Sequence, residues 1–279
     1  MASGDPVPSV TEADATGEIA ALYADIRQTL GVPLVNLIWR NLATIPGALD
    51  WAWSSLKPVY EDGSIQAEAY ALRVGQSLPD VSSLDPSTLA DAGLSATDLT
   101  TIETILDSYE RSNPLNLVAI GALLVLLQDK SDNAPTATPA ERVAETPVTG
   151  GLPTLLSLDE MEAETAELAR AVNALGARGR THIMVSMPRH LAHWPAFLEL
   201  YRSTIAPLDG DGRLAASIDA VIADGRSRGA RLASRLSAGP VPSGEARAAT
   251  VATLEDFYEN AIARMIPVVG LLKKSMSSS

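Results

Sequence analysis

Residues 40–49, Arg-Asn-Leu-Ala-Thr-Ile-Pro-Gly-Ala-Leu, return 149 positions later as residues 189–198, Arg-His-Leu-Ala-His-Trp-Pro-Ala-Phe-Leu. Working outward at that fixed offset, Ser54, Pro58, Asp62 and Gly63 fall on Ser203, Pro207, Asp211 and Gly212. With Arg40, Leu42, Ala43, Pro46 and Leu49 this makes nine identities in 24 positions. Tyr109-Glu110 then meets Tyr258-Glu259, Gly121 meets Gly270, and Leu123 meets Leu272, with no change of register. Such a pattern implies an ancient duplication. The period is far too long for a solenoid unit, so the expectation is two helical halves packed about a pseudo-two-fold axis, an intramolecular pseudo-dimer.

The local patterns are helical. Ile19, Leu22, Tyr23, Ile26 and Leu30 form one apolar face that stops at Gly31 and Pro33. Met161, Thr165, Leu168, Val172 and Leu175 repeat the spacing up to Gly176. Ser95 with Asp98 has the spacing of a capping box, opening a helix through Leu99, Ile102, Ile105, Leu106 and Tyr109. No run of alternating β-branched residues competes, so the fold class is all-α. Pro135, Pro139, Pro147, Gly150 and Gly151 lie among Ser, Thr and Ala, which marks residues 128–151 as a linker between repeats 1–127 and 152–279.

Composition narrows the function classes. The chain has 279 residues and a formal net charge of −13, which disfavours nucleic acid as a partner. Cysteine is absent, so disulfides, thiol nucleophiles and thiolate metal sites are excluded. The acidic N-terminus does not read as a secretory signal, and the uncharged stretch from Leu115 to Leu127 is shorter than a membrane span and reads as a buried core helix. The expectation is a cytoplasmic protein with no membrane partner, with homodimerisation left open. Residues 1–127 hold 5 basic and 16 acidic side chains, whereas residues 152–279 hold 14 of each. Arg228, Arg231 and Arg235 share a helical face that either meets the acidic half, draws in an anion, or is simply solvated. Asp209-Gly210-Asp211-Gly212 lacks the twelfth-position acid of a calcium loop and reads as a turn.

The duplication also points to site residues. Asn36, Asn113 and Asn116 correspond to Val185, Ile262 and Met265. Apolar equivalents imply buried positions, and a buried amide needs partners, so these three are candidates for lining a polar cavity, the alternative being caps or satisfied core amides. His190 and His193 are one turn apart without an evident third ligand, so no metal site is expected.

The segment from Pro33 to Ala43, the Trp194-Pro195 segment and the block from Tyr109 to Asn116 together resemble the group I DL-2-haloacid dehalogenase family. That resemblance implies two all-α repeats with a small-carboxylate site between them. It also implies hydrolysis of a carbon–halogen bond by direct attack of water, without a cofactor and without a covalent enzyme ester. The family's catalytic Asp position falls on Met187, with Ser186 and Pro188 beside it, and methionine cannot accept the water's proton. The resemblance further implies that Asn113 or Asn116 orients the water and that Asn36 and Trp39 line the pocket. Arg40 and Arg189, placed alike in the two repeats, would anchor the carboxylate or serve as structural ion-pairing residues. His190, three residues beyond Met187 at a helix start, is the substitute candidate for the base, the alternative being a structural histidine. Loss of the Asp leaves a second function class open, a non-catalytic small-acid binder or helical interaction protein on the same scaffold.

Overall fold

The computed structural model describes residues 7–128, 143, 145–237 and 239–277. Among them every regular element is helical. The first half comprises α1 (Gly17–Leu30), α2 (Leu37–Leu42), α3 (Ala48–Glu61), α4 (Ser64–Val74), α5 (Pro86–Asp91) and α6 (Ala96–Leu127). The second comprises α7 (Ala163–Ala174), α8 (Ser186–Leu191), α9 (Pro195–Gly210), α10 (Arg213–Ala233), α11 (Gly244–Asp256) and α12 (Ala263–Ser277), the last two joined by a π-helical turn over Phe257–Ile262.

Local chemistry sets these boundaries. Gly31 at φ 65° ends α1, its N–H bonding Arg27 O at 2.9 Å, because a left-handed residue without Cβ turns the chain away from the helix without strain. Ser95 and Asp98 form the reciprocal capping box that starts α6, and this helix runs for 32 residues straight through Pro114. The apolar stretch from Leu115 is thus the second half of one long helix. The repeated Asp-Gly pairs explain themselves. Gly63 and Gly212 both adopt φ 85°, while Asp62 accepts from Ser64 N at 2.9 Å and Asp211 from Arg213 N at 3.1 Å, so the same turn links α3 to α4 and α9 to α10. Met161 stays outside α7 in extended backbone, because the Ser157–Glu160 capping box closes a separate 3₁₀ turn over Leu158–Glu160 just before it.

The two halves share one continuous core, with α6 packed against α4, α10 and α12. The crossing of α6 and α10 is close: a Cβ on Gly229 would stand 2.7 Å from Ala122 N and Gly121 C, so only glycine fits. The charge asymmetry seen in the sequence is spent at this junction. Arg228 and Arg231 of α10 both bond Glu68 of α4, at 2.8 and 2.6 Å, and Arg235 bonds Asp62 at 2.6 Å and also Ser64. Most of the expected linker lies outside the described residues. Its end is fastened to the first half, where Glu145 pairs with Arg73 and Arg111 and Val148 N donates to Gly31 O at 3.0 Å.

Candidate functional site

Two neighbouring cavities lie where α2 and α6 meet α8 and the π-helical turn. The inner chamber is small, about 40 Å³, and its walls come from matching positions of the two halves. Asn36, Leu37 and Ile38 face it from the first half, and their equivalents at the 149 offset, Val185, Ser186 and Met187, face it from the second. Asn113 and Ile262 form another such pair. At two of these pairs, Asn36 with Val185 and Asn113 with Ile262, the first half contributes an amide where the second contributes hydrocarbon.

Those amides have unused capacity. Asn36 Nδ2 donates to Ser112 Oγ at 3.0 Å, but Asn36 Oδ1 has no protein partner, and neither has Asn113 Nδ2. Both atoms are buried, and a buried polar group without a partner is costly. Met187, fully buried, lines the same chamber. Among the described residues no carboxylate lines it, and the titratable side chain there is Tyr109.

The outer vestibule, about 710 Å³, is larger and more polar. Arg40 and Arg189 border it, one from each half, together with Ser186, His190 and Tyr109. Arg40 and Arg189 are buried, Arg40 Nε donating to Val35 O at 3.2 Å and Arg189 Nε to Leu156 O at 2.6 Å. The vestibule's carboxylates include Glu12, which accepts from Val35 N at 2.8 Å and pairs with Arg27, and Glu160, which accepts from Ser157 N at 2.7 Å.

Two hydrogen bonds join residues that border these spaces: Arg40 Nη2 donates to Ser186 Oγ at 3.3 Å, and the Tyr109 hydroxyl lies 2.9 Å from His190 Nδ1. With the Tyr109 hydroxyl donating, His190 Nδ1 is the acceptor and its Nε2 carries the proton. Burial, with Arg189 and Arg40 nearby, lowers His190 to about 3. The imidazole is therefore neutral at neutral pH, and its one lone pair is occupied by Tyr109. A neutral imidazole lowered this far is a weak acceptor for water's proton, and its Nδ1 engages the Tyr109 hydroxyl. Burial likewise raises the Tyr109 hydroxyl far above its usual range, so it too stays neutral.

The structure thus brings together Asn36, Asn113, Ser186 and Met187 at the chamber and Arg40, Ser186, Arg189 and His190 at the vestibule. It does not bring Trp39 or Asn116 to either. Trp39 Nε1 donates to Asn116 Oδ1 at 3.0 Å, and the indole stands edge-on to Trp53 with centroids 5.7 Å apart, so this pair ties α2 to α6 within the core. Tyr109, in the sequence no more than a marker of register, borders both spaces. Its position one turn before Asn113 on the same face of α6 is the signal that could have found it. Among the described residues no group of three or more His, Asp or Glu stands where it could hold a metal ion, and no helix is long and apolar enough to cross a membrane.

No protein-family model matches the chain. It is 36% identical over 97 residues, 33% of its own length, to a Pseudomonas putida (R)-2-haloacid dehalogenase. It is 25% identical over 206 residues, 72% of its length, to a configuration-inverting 2-haloacid dehalogenase of Pseudomonas sp. (strain 113). These matches span 32% and 67% of the two relatives. A solved structure of a D-2-haloacid dehalogenase mutant superposes with a TM-score of 0.81 at 16% identity, covering 99% of this chain and 97% of that one, and so shares its all-α fold. In sequence the chain is similar to configuration-inverting 2-haloacid dehalogenases.

Proposed function

We propose that this protein binds a short 2-halocarboxylate, or a related small activated acid, at the seam between its halves, and hydrolyses it by direct attack of water without a carboxylate base. The observation that carries this reading is that Asn36 and Asn113, whose Oδ1 and Nδ2 are buried without a protein partner, line a chamber of about 40 Å³ together with Val185, Met187 and Ile262. An acid with its alkyl and halogen groups against Val185, Met187 and Ile262 would present its carboxylate toward Ser186 and the Arg40 side of the vestibule. A water held by the two amides would attack C2. The new carbon–oxygen bond replaces the carbon–halogen bond, the halide leaves with the electron pair, and the water's proton passes to solvent. Amides orient water but do not keep its proton, so the expected turnover is slow. We also assign the two halves, residues 1–127 and 152–279, to one duplicated ancestral unit. The start of α4 and α10, both ends of α2 and α8, and the paired Asp-Gly turns, all at the 149 offset, support that assignment.

Met187 favours a second reading, binding without turnover. Calorimetric titration with (R)- and (S)-2-chloropropionate, with chloride release followed in the natural chain and in Met187→Asp, decides between them. Binding with slow release that rises in Met187→Asp supports the hydrolytic site. Binding with release confined to Met187→Asp supports the binder. No binding by either protein overturns both.

A further inference from the structure

We propose that Tyr109 is a movable partition between the inner chamber and the outer vestibule, and that it sets the length of acid the seam accepts. The specificity part of this inference rests on the small-acid reading above; the partition itself does not.

Tyr109 and Ser186 are the two side chains that border both spaces. The phenol ring, almost wholly buried, lies 5.9 Å from the His190 ring at an interplanar angle of 48°, and its hydroxyl is 2.9 Å from His190 Nδ1. This partner is a side chain. The equivalent residue of the second half is held differently: Tyr258 donates to a backbone carbonyl, Ile222 O at 3.1 Å, and packs against Gly121 and Gly225 at the helix crossing. The same residue type is thus a fixed strut in one half and a panel latched by a side chain in the other.

The dimensions give the panel a consequence. A chamber of about 40 Å³ holds roughly three water-sized groups, since each needs about 10–15 Å³ on the same measure. Two or three heavy atoms fit behind Tyr109, as in the methyl and halogen of a three-carbon acid. A longer tail must displace the ring and continue into the vestibule, whose volume of about 710 Å³ imposes no comparable limit.

The test uses the full-length protein with xenon and with an acid series. Xenon reports the chamber whatever the chemistry of the natural ligand. Its exchange, measured by xenon-129 NMR, is expected to be about threefold to tenfold faster in Tyr109→Phe, which keeps the ring and loses the hydroxyl bond. It should be faster still in Tyr109→Ala. In calorimetry from acetate to octanoate, the natural chain is expected to favour two to four carbons. Tyr109→Ala should gain roughly threefold to fourfold in affinity for each methylene newly admitted. Unchanged xenon exchange in Tyr109→Phe, or no chamber-bound xenon in the natural chain and both variants, overturns the partition. An unchanged length preference in a folded Tyr109→Ala overturns its role in specificity. If the natural chain binds no acid while exchange responds as expected, the partition stands and the small-acid reading fails. Should Tyr109→Ala not fold, Tyr109→Phe carries the test alone.

Discussion

Replacing Asn113 by leucine tests whether the chamber amides are held for a ligand at the expense of the fold. Asn113 is 5% exposed, and its Nδ2 has no protein partner. Leucine has nearly the same shape, and the equivalent position of the second half carries Ile262 against the same space. Removing a buried donor that the protein leaves unsatisfied recovers at most about 1–3 kcal/mol, less whatever solvent in the chamber supplies. Leucine is also the better helix former within α6, by about 0.3–0.5 kcal/mol. The sum is a gain of roughly 1–2 kcal/mol, a rise of about 2–4 °C in Tm for a chain of this size. Equilibrium unfolding in urea, compared at equal slope, measures the first quantity; calorimetric titration with 2-chloropropionate measures the second, which should weaken about tenfold or more. Asn116→Leu is the contrast. It too removes an unpartnered Nδ2 but strands the Trp39 indole N–H, so it should leave the protein about 1–3 kcal/mol less stable than Asn113→Leu does. If Asn113→Leu were no more stable than Asn116→Leu, or bound the acid as well as the natural chain, the reasoning would be refuted.

Three further outcomes are expected. Glu68 is raised by burial, but its bonds from Arg231 and Arg228 outweigh this and hold its pKa below the usual value. Its stabilising share is therefore present above the unfolded carboxylate range and is lost as pH falls through the lowered folded value. Glu68→Gln should cost about 2 kcal/mol at pH 7 in urea unfolding, with the difference fading in acid. His190 behaves as a depressed base, lowered to about 3 by burial and by Arg189 and Arg40, so the unfolded chain binds the proton first. Stability should fall by about 1.4 kcal/mol per pH unit between pH 6 and 4 relative to His190→Gln, and equal slopes in the two proteins would contradict it. Gly229→Ala forces a Cβ to within 2.7 Å of the α6 backbone and should destabilise by about 1–3 kcal/mol, whereas Gly210→Ala, with nothing within 4 Å, should be neutral or slightly stabilising, as thermal unfolding of the pair would show.

The fold was legible because its signals are local or repeated. Gly31, the Ser95–Asp98 box and the Asp62-Gly63 and Asp211-Gly212 turns each act through backbone conformations that a few neighbouring residues dictate. Other features depend on distant parts of the chain. Nothing near Pro114 says that α6 continues through it, because the cost of the missing N–H is met by burial on both sides from α4, α10 and α12. The destination of Arg228 and Arg231 needed Glu68, some 160 positions away.

The site was legible where the two halves could be compared and illegible where depth along a helix decides. Asn36 and Asn113 stood out because Val185 and Ile262 occupy the matching places, and these four line the chamber. Asn116 carried the same signature on the same face of α6. Three residues at about 1.5 Å each carry it roughly 4.5 Å further along the helix, past the chamber, where it meets Trp39 instead. His190, expected at a helix start, lies in the last turn of the short α8, and its lowered basicity comes from burial and from two arginines of different halves, of which its own helix turn reveals Arg189 alone. Under the proposed duplication this divergence costs little, because one half keeps the structural member of a pair, Ile262 for Asn113 or Tyr258 for Tyr109, and the other member is free to give up packing or a backbone bond for the proposed ligand. Chemistry at the seam should therefore be sought where equivalent positions differ in polarity, as at Asn36 and Asn113, and not at Met187, whose equivalent Ile38 is also apolar.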